Sequence, residues 1–439
     1  MKTLIAFFLV LIVSTYSLAD CLPSEQGVIK HIDQQQIVQG YYTFKQLVDL
    51  GGKLFNAKPN ACDGAGRPAT TGGGEKRSPV QPAFLRTSGP DSNSCSGCHA
   101  QPKAGGSGDF VANVFVLAQN RDPVTLSIAE EESNERNTLG MWGAGYIELL
   151  AREMTADLQR QAAALSDGLF ELNTKGVKFS IEKKAGKVTK AWGIDTDLIV
   201  KPFHQSGVVV SLRQFTVNAF NHHHGIQADE RFTGDFDEDG IEHELTLGDV
   251  TAVTLWQAQL PAPISVVPKR AEALRQVRQG EILFSNIGCA NCHTPTLILE
   301  RKTFMEPNPY NPENTFADTS QSYRFELASN EVHAYTDLKR HNLCDPANQP
   351  DAIRFFCNEQ LAQGRPDQEG QPGREYFITR KLWDVGNSAP YGHRGDLTTI
   401  SEAIVYHAGE ARASRDRFTQ MPVPDQIALV AFLKTLQSR

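Results

Sequence analysis

One five-residue pattern occurs twice and constrains this chain more than any other feature: Cys95-Ser96-Gly97-Cys98-His99 and Cys289-Ala290-Asn291-Cys292-His293. Two cysteines three apart place both sulfurs on one side of a helical turn, where they can add to the two vinyl groups of one porphyrin. The histidine that follows then turns its imidazole toward the iron. Tetrahedral zinc sites also use Cys-x-x-Cys pairs. Here, however, a histidine follows both copies, and the copies lie far apart in the sequence. A disulfide within each pair fails on the same grounds. The pattern therefore implies two covalently bound c-type haems, with Cys95, Cys98 and His99 holding one and Cys289, Cys292 and His293 the other.

An oxidising compartment suits this chemistry, and the start of the chain points there. Lys2 precedes an apolar run from Leu4 to Val13, and small and polar residues lead to Ser17-Leu18-Ala19. Residues 1–19 read as a signal peptide cleaved after Ala19, which predicts export to the periplasm. The run falls short of the roughly 18 apolar residues a membrane span needs, and no later segment approaches that length, so a soluble mature protein is expected. Cys21 follows the cleavage region, but Asp20 is a poor neighbour for a lipidated cysteine, which disfavours a lipid anchor. Four cysteines lie outside the paired motifs: Cys21, Cys62, Cys344 and Cys357. Their connectivity is not fixed by sequence. Cys344 with Cys357 closes a short loop, which leaves Cys21 with Cys62, both as structural staples. The net charge of −8, with Lys and Arg scattered, gives no footprint for nucleic acid.

Around each motif the chain repeats itself. Gly52-Lys53-Leu54-Phe55 precedes the first motif and Gly280-Glu281-Ile282-Leu283-Phe284 the second. A Gly-, Pro-, Ser- and Thr-rich stretch from about Asn56 to Asn93 reads as a loop in the first copy. Prolines from Pro261 to Pro268 mark a junction. The expected organisation is an N-terminal haem domain over 20–262 and a cytochrome-c-like haem domain over 263–439. Helical spacing of apolar residues runs through Leu149 to Ala164, Val217 to Phe220 with its flanks, Ala271 to Phe284 and Asp425 to Leu436. Val177, Phe179 and Ile181 alternate with polar residues, and Ala185-Gly186 then turns the chain toward Val188, which predicts a β-hairpin. The expected fold class is mainly α: two class I cytochrome-c-like domains in tandem, with a small β-hairpin insertion in the first.

Several longer segments resemble the di-haem oxidoreductase family of peroxidases and thiol oxidoreductases, relatives of bacterial dihaem cytochrome c peroxidase and of the dihaem enzyme that matures methylamine dehydrogenase. They are Phe220-Asn221-His222-His223-His224-Gly225, Asp235 to Gly240, Leu247 to Ala252, Ala389-Pro390-Tyr391-Gly392-His393-Arg394-Gly395 and Glu402 to His407. In those relatives an aromatic-His-x-Gly turn is followed, fourteen positions on, by the sixth ligand of the C-terminal haem. Fourteen positions after His393 stands His407, so the resemblance implies a bis-histidine haem held by His293 and His407. It names no comparable ligand for the first iron, near which Met141, Met154 and the triplet His222, His223 and His224 are the conspicuous residues. Trp142 resembles an inter-haem tryptophan, and Glu148 and Glu153 fall where relatives carry a distal acid–base. Together with His393 these make the candidate catalytic set Trp142, Glu148, His222, His223 and His224. Pro295, two residues after His293, resembles a cytochrome c proline whose carbonyl takes the imidazole's other ring proton.

Asp235, Asp237 and Asp239 with Gly240 reproduce the first half of a calcium loop. Thr246 at the twelfth position excludes an EF-hand proper, and Glu242, Glu244 or Asp249 are the candidates to close a looser calcium cage. The reading as a whole is an exported dihaem oxidoreductase. It would take a small-molecule oxidant or substrate and exchange electrons with a redox partner protein, through a bis-histidine C-terminal haem and a more open N-terminal one. The rival is a dihaem electron carrier without catalysis.

Overall fold

Two helix pairs, each crossing at a glycine, frame the two cysteine motifs. In a computed structural model, residues 21–66, 90, 92–108, 111–113, 135–232, 234–235, 239–344, 375–393 and 395–437 are described. The helix Phe44–Asn56 packs along Leu247–Gln259, and the helix Ala271–Asn286 along Val423–Leu433. At the first crossing a Cβ on Gly51 would collide with the carbonyl oxygen of Ala252 and press on Trp256. At the second, a Cβ on Gly280 would collide with the carbonyl of Ala428 and press on Phe432. Neither position tolerates a side chain, because the partner's backbone occupies the space.

Four residues after each glycine comes a phenylalanine that meets the motif histidine. Phe55 stands 6.2 Å from His99 at 52° between ring planes, and Phe284 stands 6.4 Å from His293 at 51°. Each phenylalanine also touches the aromatic of the crossing helix, Trp256 at 4.3 Å and Phe432 at 5.5 Å. Gly51 is thus the counterpart of Gly280. The Gly52 register expected from sequence is one residue off, because Gly51 and Gly52 are adjacent and only the packing distinguishes them.

The other helices begin and end where local chemistry dictates. The long helix Ala144–Ala163 starts five residues before the Leu149 expected from periodicity, launched by Gly143 in the left-handed region. Leu212–Ala219 is capped by Ser211 and continues into a π-turn at Phe220–His224. Strands Val177–Lys184 and Lys187–Trp192 pair antiparallel, and Gly168–Thr174 pairs with the first of them, so the β element is a three-stranded meander. Its buried residues Leu172, Phe179 and Ile181 lie against the long helix through Leu150, Met154 and Leu158. Fully burying each such side chain stabilises by about 1.5–3 kcal/mol.

The largest apolar cluster draws on both sides of the Pro261–Pro268 segment, joining Ala144 to Ala258 with Leu297, Leu299, Phe304 and Trp383. Polar groups cross there too. Arg213 is fully buried between Glu230 and Glu306, each at 2.8 Å, and Arg152 donates to the carbonyl of Met305. Cys21 and Cys62 form a disulfide with Cα atoms 6.0 Å apart. Cys344 is also disulfide-bonded. Cys357, residues 1–19 and most of the predicted loop over 56–93 lie outside the described residues. Among the described residues no helix is long and apolar enough to cross a membrane.

Replacing Gly280 by alanine forces the two helices apart and should lower stability by about 1–3 kcal/mol, as overpacking does. Urea unfolding of G280A with an undiminished midpoint would show that the crossing is not close.

Candidate functional site

Both motifs are presented by short helical turns. Cys95–Cys98 forms one turn whose N-cap, Ser94, accepts from the amide of Gly97 at 3.1 Å, and Cys289–Asn291 forms a tighter 3-10 turn. None of the four cysteines is in a disulfide. Burial pushes the Cys95 thiol up to about 12 and the Cys289 thiol up to about 11, so both are held protonated and neutral at physiological pH.

Each motif histidine is oriented through Nδ1 by main-chain carbonyls. His99 Nδ1 lies 3.1 Å from Leu139 O and 3.3 Å from Gly106 O. His293 Nδ1 lies 3.0 Å from Tyr335 O, and the ring also meets the carbonyl of Arg380. Pro295 does not play the part expected of it: its carbonyl accepts from the amide of Tyr335, so it holds the acceptor of His293 rather than the ring itself. A proton on Nδ1 directs Nε2 to a metal. Burial lowers both imidazoles to about 4, helped at His293 by His407 and at His99 by His223. Both are therefore neutral, the form that ligates iron.

His407 follows the helix Ile400–Val405, and its ring faces that of His293 with centroids 6.4 Å apart. Its Nδ1 contacts Ala403 O at 2.7 Å, which gives it the same tautomer as His293. Burial lowers its pKa as well. His393, the anchor of the fourteen-residue spacing, stacks on Phe377 at 4.5 Å, and its carbonyl accepts from the amide of Asn137 at 2.7 Å. It ties the two motif regions together from outside the His293–His407 pair.

Beside His99 opens a cavity of about 220 Å³. Its wall includes Cys95, Cys98, Phe55, Met141, His204, His223 and His224, with Arg380 and Lys381 and a largely apolar remainder. His224 Nε2 lies 3.7 Å from Cys95 Sγ. The triplet therefore divides: His223 and His224 face the cavity, while His222 is buried and absent from its wall. A sulfur pair, a neutral imidazole and an apolar slot fit a covalently held porphyrin.

Other candidates lie elsewhere. Met154 is fully buried in the main core and Met141 lines the cavity. Trp142 is buried under Lys103, 5.0 Å from its ring, with an indole N–H that has no acceptor among the described residues. Glu148 is not in the cavity wall. Its carboxylate is consumed by Arg152, by Asn308 at 3.0 Å and by the amide of Leu212 at 2.8 Å. Glu153 likewise binds Lys175 at 2.6 Å and two loop amides. Both carboxylates are structural acceptors, Glu148 in the core and Glu153 at its edge, and neither lines the cavity. The resemblance placed them in the distal region of an iron, but the helix turns them toward the second half of the chain.

The acidic loop is spent on its own backbone. Asp235 accepts from the amides of Asp239 and Gly240 at 2.9 Å, and Asp239 accepts from Ile241 at 2.8 Å; Asp237 lies outside the described residues. Glu244 accepts from Gln227, and Asp249 from His31 and Ile32, so the proposed closing carboxylates point to other places. Among the described residues the one group of three clustered donors is Cys292, Asp337 and His341. Both ring nitrogens of His341 face carboxylates, Nε2 to Asp337 at 2.9 Å and Nδ1 to Glu410 at 2.7 Å. Burial pulls its pKa down, but Asp337, Cys292 and Glu410 outweigh that and push it up to about 12. An imidazolium fixed by two carboxylates is a poor metal ligand.

Residues 254–436 match the family model described as "Di-haem oxidoreductase, putative peroxidase". Over these residues the chain is similar to the di-haem oxidoreductase family. The Cys-x-x-Cys-His motif at Cys289–His293 and the facing histidines 293 and 407 fall inside the matched region, while Cys95–His99 lies before it. No curated protein sequence matches the chain. Among solved structures, the chain is similar to hydrazine synthase from Kuenenia stuttgartiensis, at 13% identity over 99% of this chain and 100% of that one, with a TM-score of 0.40. It is also similar to a MauG-like protein associated with microbial copper homeostasis, at 16% identity over 67% of this chain and 89% of that one, with a TM-score of 0.28.

Four residues that line or join the two sites, His204, Gln205, Arg380 and Lys381, escaped sequence reasoning. The only signal was a pair of cations, Arg380-Lys381, beside apolar Phe377, Ile378, Leu382 and Trp383.

His341 provides a pH test. Its folded pKa lies above the ordinary histidine value near 6.5, so its stabilising contribution is full below about pH 6.5 and is lost as pH rises toward the folded value. H341Q should therefore cost more stability at pH 5.5 than at pH 9. A penalty independent of pH in urea unfolding would refute the paired imidazolium.

Proposed function

We propose that this chain is a di-haem oxidoreductase, an exported, periplasmic c-type cytochrome with peroxidase-like activity. One porphyrin would be held by Cys95, Cys98 and His99, and the other by Cys289, Cys292, His293 and His407. When bound, such haems supply irons that change oxidation state and, where a coordination position is open, react with an oxidant. The observation that carries the reading is the His293–His407 pair. Two metal–nitrogen bonds of about 2.0 Å, with each ring centre about 1.1 Å behind its donor atom, set centroids about 6.2 Å apart. The separation of 6.4 Å supports an iron between them.

The rest of the chain divides the labour. His407, pinned by Ala403, closes the second site and suits it to storing and passing electrons. In the first site His99 is pinned from behind, and His204, His223 and His224 share its cavity. They offer imidazole nitrogens for moving protons to and from a small oxidant, the task that Glu148 cannot perform from the core. The sites are joined by a short run of bonds. Arg380 O meets His293, Lys381 Nζ donates to Gly140 O at 2.8 Å, and the neighbouring carbonyl of Leu139 meets His99. That connection supports electron exchange between them. A redox partner protein would feed the second site.

Protein matured by a host that attaches haem should carry two porphyrins per chain by intact mass. Its paramagnetic resonance spectrum should hold one bis-histidine low-spin signal and a high-spin ferric fraction that peroxide abolishes. H407A should convert the low-spin signal to high spin and leave the other unchanged. Two fully low-spin haems, inert to peroxide, would establish the electron-carrier reading instead.

A further inference from the structure

Among the described residues, the wall of the first cavity carries two basic side chains and no carboxylate. Arg380 and Lys381 both stand in its wall, and neither Asp nor Glu is among the lining residues. The two differ. Lys381 donates to Gly140 O at 2.8 Å, and burial and the neighbouring Arg380 hold its pKa well below the usual lysine value against the pull of Asp384. Arg380 has no such relief. Among the described residues its guanidinium makes no hydrogen bond and no ion pair. Burial alone acts on it and holds it down to about 10, so it is charged at neutral pH.

A half-buried guanidinium with no counter-charge beside it keeps its donors open to the cavity, where an anion would gain charge-assisted hydrogen bonds. The planar fork of arginine matches a carboxylate with two parallel hydrogen bonds, which a lysine cannot reproduce. A porphyrin attached through Cys95 and Cys98 brings two propionate carboxylates into this cavity. We propose that Arg380 is the carboxylate-binding residue of the first cavity, and that its guanidinium takes a propionate of the porphyrin held at Cys95 and Cys98. The assignment rests on the di-haem reading above. It also gives residue 380 contact with both sites, because its carbonyl meets the ring of His293 while its side chain serves the cavity beside His99.

The test uses the matured full chain, wild type, R380Q and R380K, each checked for two porphyrins by intact mass. Loss of the guanidinium leaves a propionate charge uncompensated. R380Q should therefore lower the midpoint potential of the first porphyrin and make that potential fall more steeply with pH between about 5 and 8, as the freed carboxyl titrates. R380K should recover most of the shift. The propionate bending band in the resonance Raman spectrum should move in R380Q and R380K, which reports the contact even in a variant that matures poorly. A potential and Raman band in R380Q identical to wild type would overturn the assignment. So would a spectral change on adding acetate or succinate to wild type that R380Q lacks, which would make Arg380 a site for a free carboxylate instead. A chain with no porphyrin at Cys95 and Cys98 would overturn the di-haem reading itself, and that outcome is visible in the mass before any potential is measured.

Discussion

The contact between a main-chain carbonyl and Nδ1 of a motif histidine is the interaction on which the rest of both sites depends. A free imidazole exchanges its proton between two nitrogens and rotates about its side chain. A carbonyl at about 3 Å from Nδ1 ends both freedoms, since it fixes the tautomer and aims Nε2. His99, His293 and His407 all have this arrangement, with acceptors from Leu139 and Gly106, from Tyr335 and Arg380, and from Ala403. Ala403 and Gly106 are local, whereas Leu139, Tyr335 and Arg380 lie 40 or more residues away in the chain, so the orientation of His99 and His293 requires the tertiary fold.

That requirement explains why the two halves are not separable at their cores. The helix Ala144–Ala163 begins next to the segment Leu139–Met141 that serves His99, and its far face packs on residues near Phe304 in the second half. Buried charge reinforces the junction. Glu306 is pushed up to about 7 by burial, against the pull of Arg213 and with Glu148 opposing its ionisation. Arg213 and Arg152 lie among these carboxylates and main-chain carbonyls from both halves. Such groups contribute little net stability when paired, but a relative shift of the two halves would leave charges stranded, and this penalises any other arrangement.

Legibility from sequence followed the range of the interactions. The Cys-x-x-Cys-His motifs and the glycine-phenylalanine repeat are short-range and readable from sequence, and the resemblance pointed to His407, whose ring stands beside that of His293. The helix ends were recovered to within a few residues, because caps such as Ser211 and the turn at Gly143 act locally. What failed was direction. Glu148 occupies the right stretch of chain but the wrong face of its helix, and nothing in a single sequence states which half of the molecule that face meets. Pro295 was credited with a contact that belongs to Tyr335, the residue its carbonyl supports. Gly51 and Gly52 were indistinguishable until the helix of Ala252 lay across one of them. The first strand of the meander, Gly168–Thr174, was missed because its burial is confined to one end.

The two sites share a scaffold and differ in what stands across from the motif histidine. In both, a glycine admits a crossing helix, a phenylalanine four residues on braces the imidazole, and a carbonyl aims it. Across from His293 one element, the end of the helix Ile400–Val405, brings a single imidazole to ring distance. Beside His99 a π-turn, the residues around His204 and the Arg380–Lys381 pair leave a cavity walled by several polar groups. A π-turn widens the helix by one residue and is found where a fold gives up regular hydrogen bonding to place side chains. Here it directs His223 and His224 toward one wall. The same repeated frame therefore yields one closed site and one that retains space, and the asymmetry arises from the segments that cross each frame rather than from the frame itself.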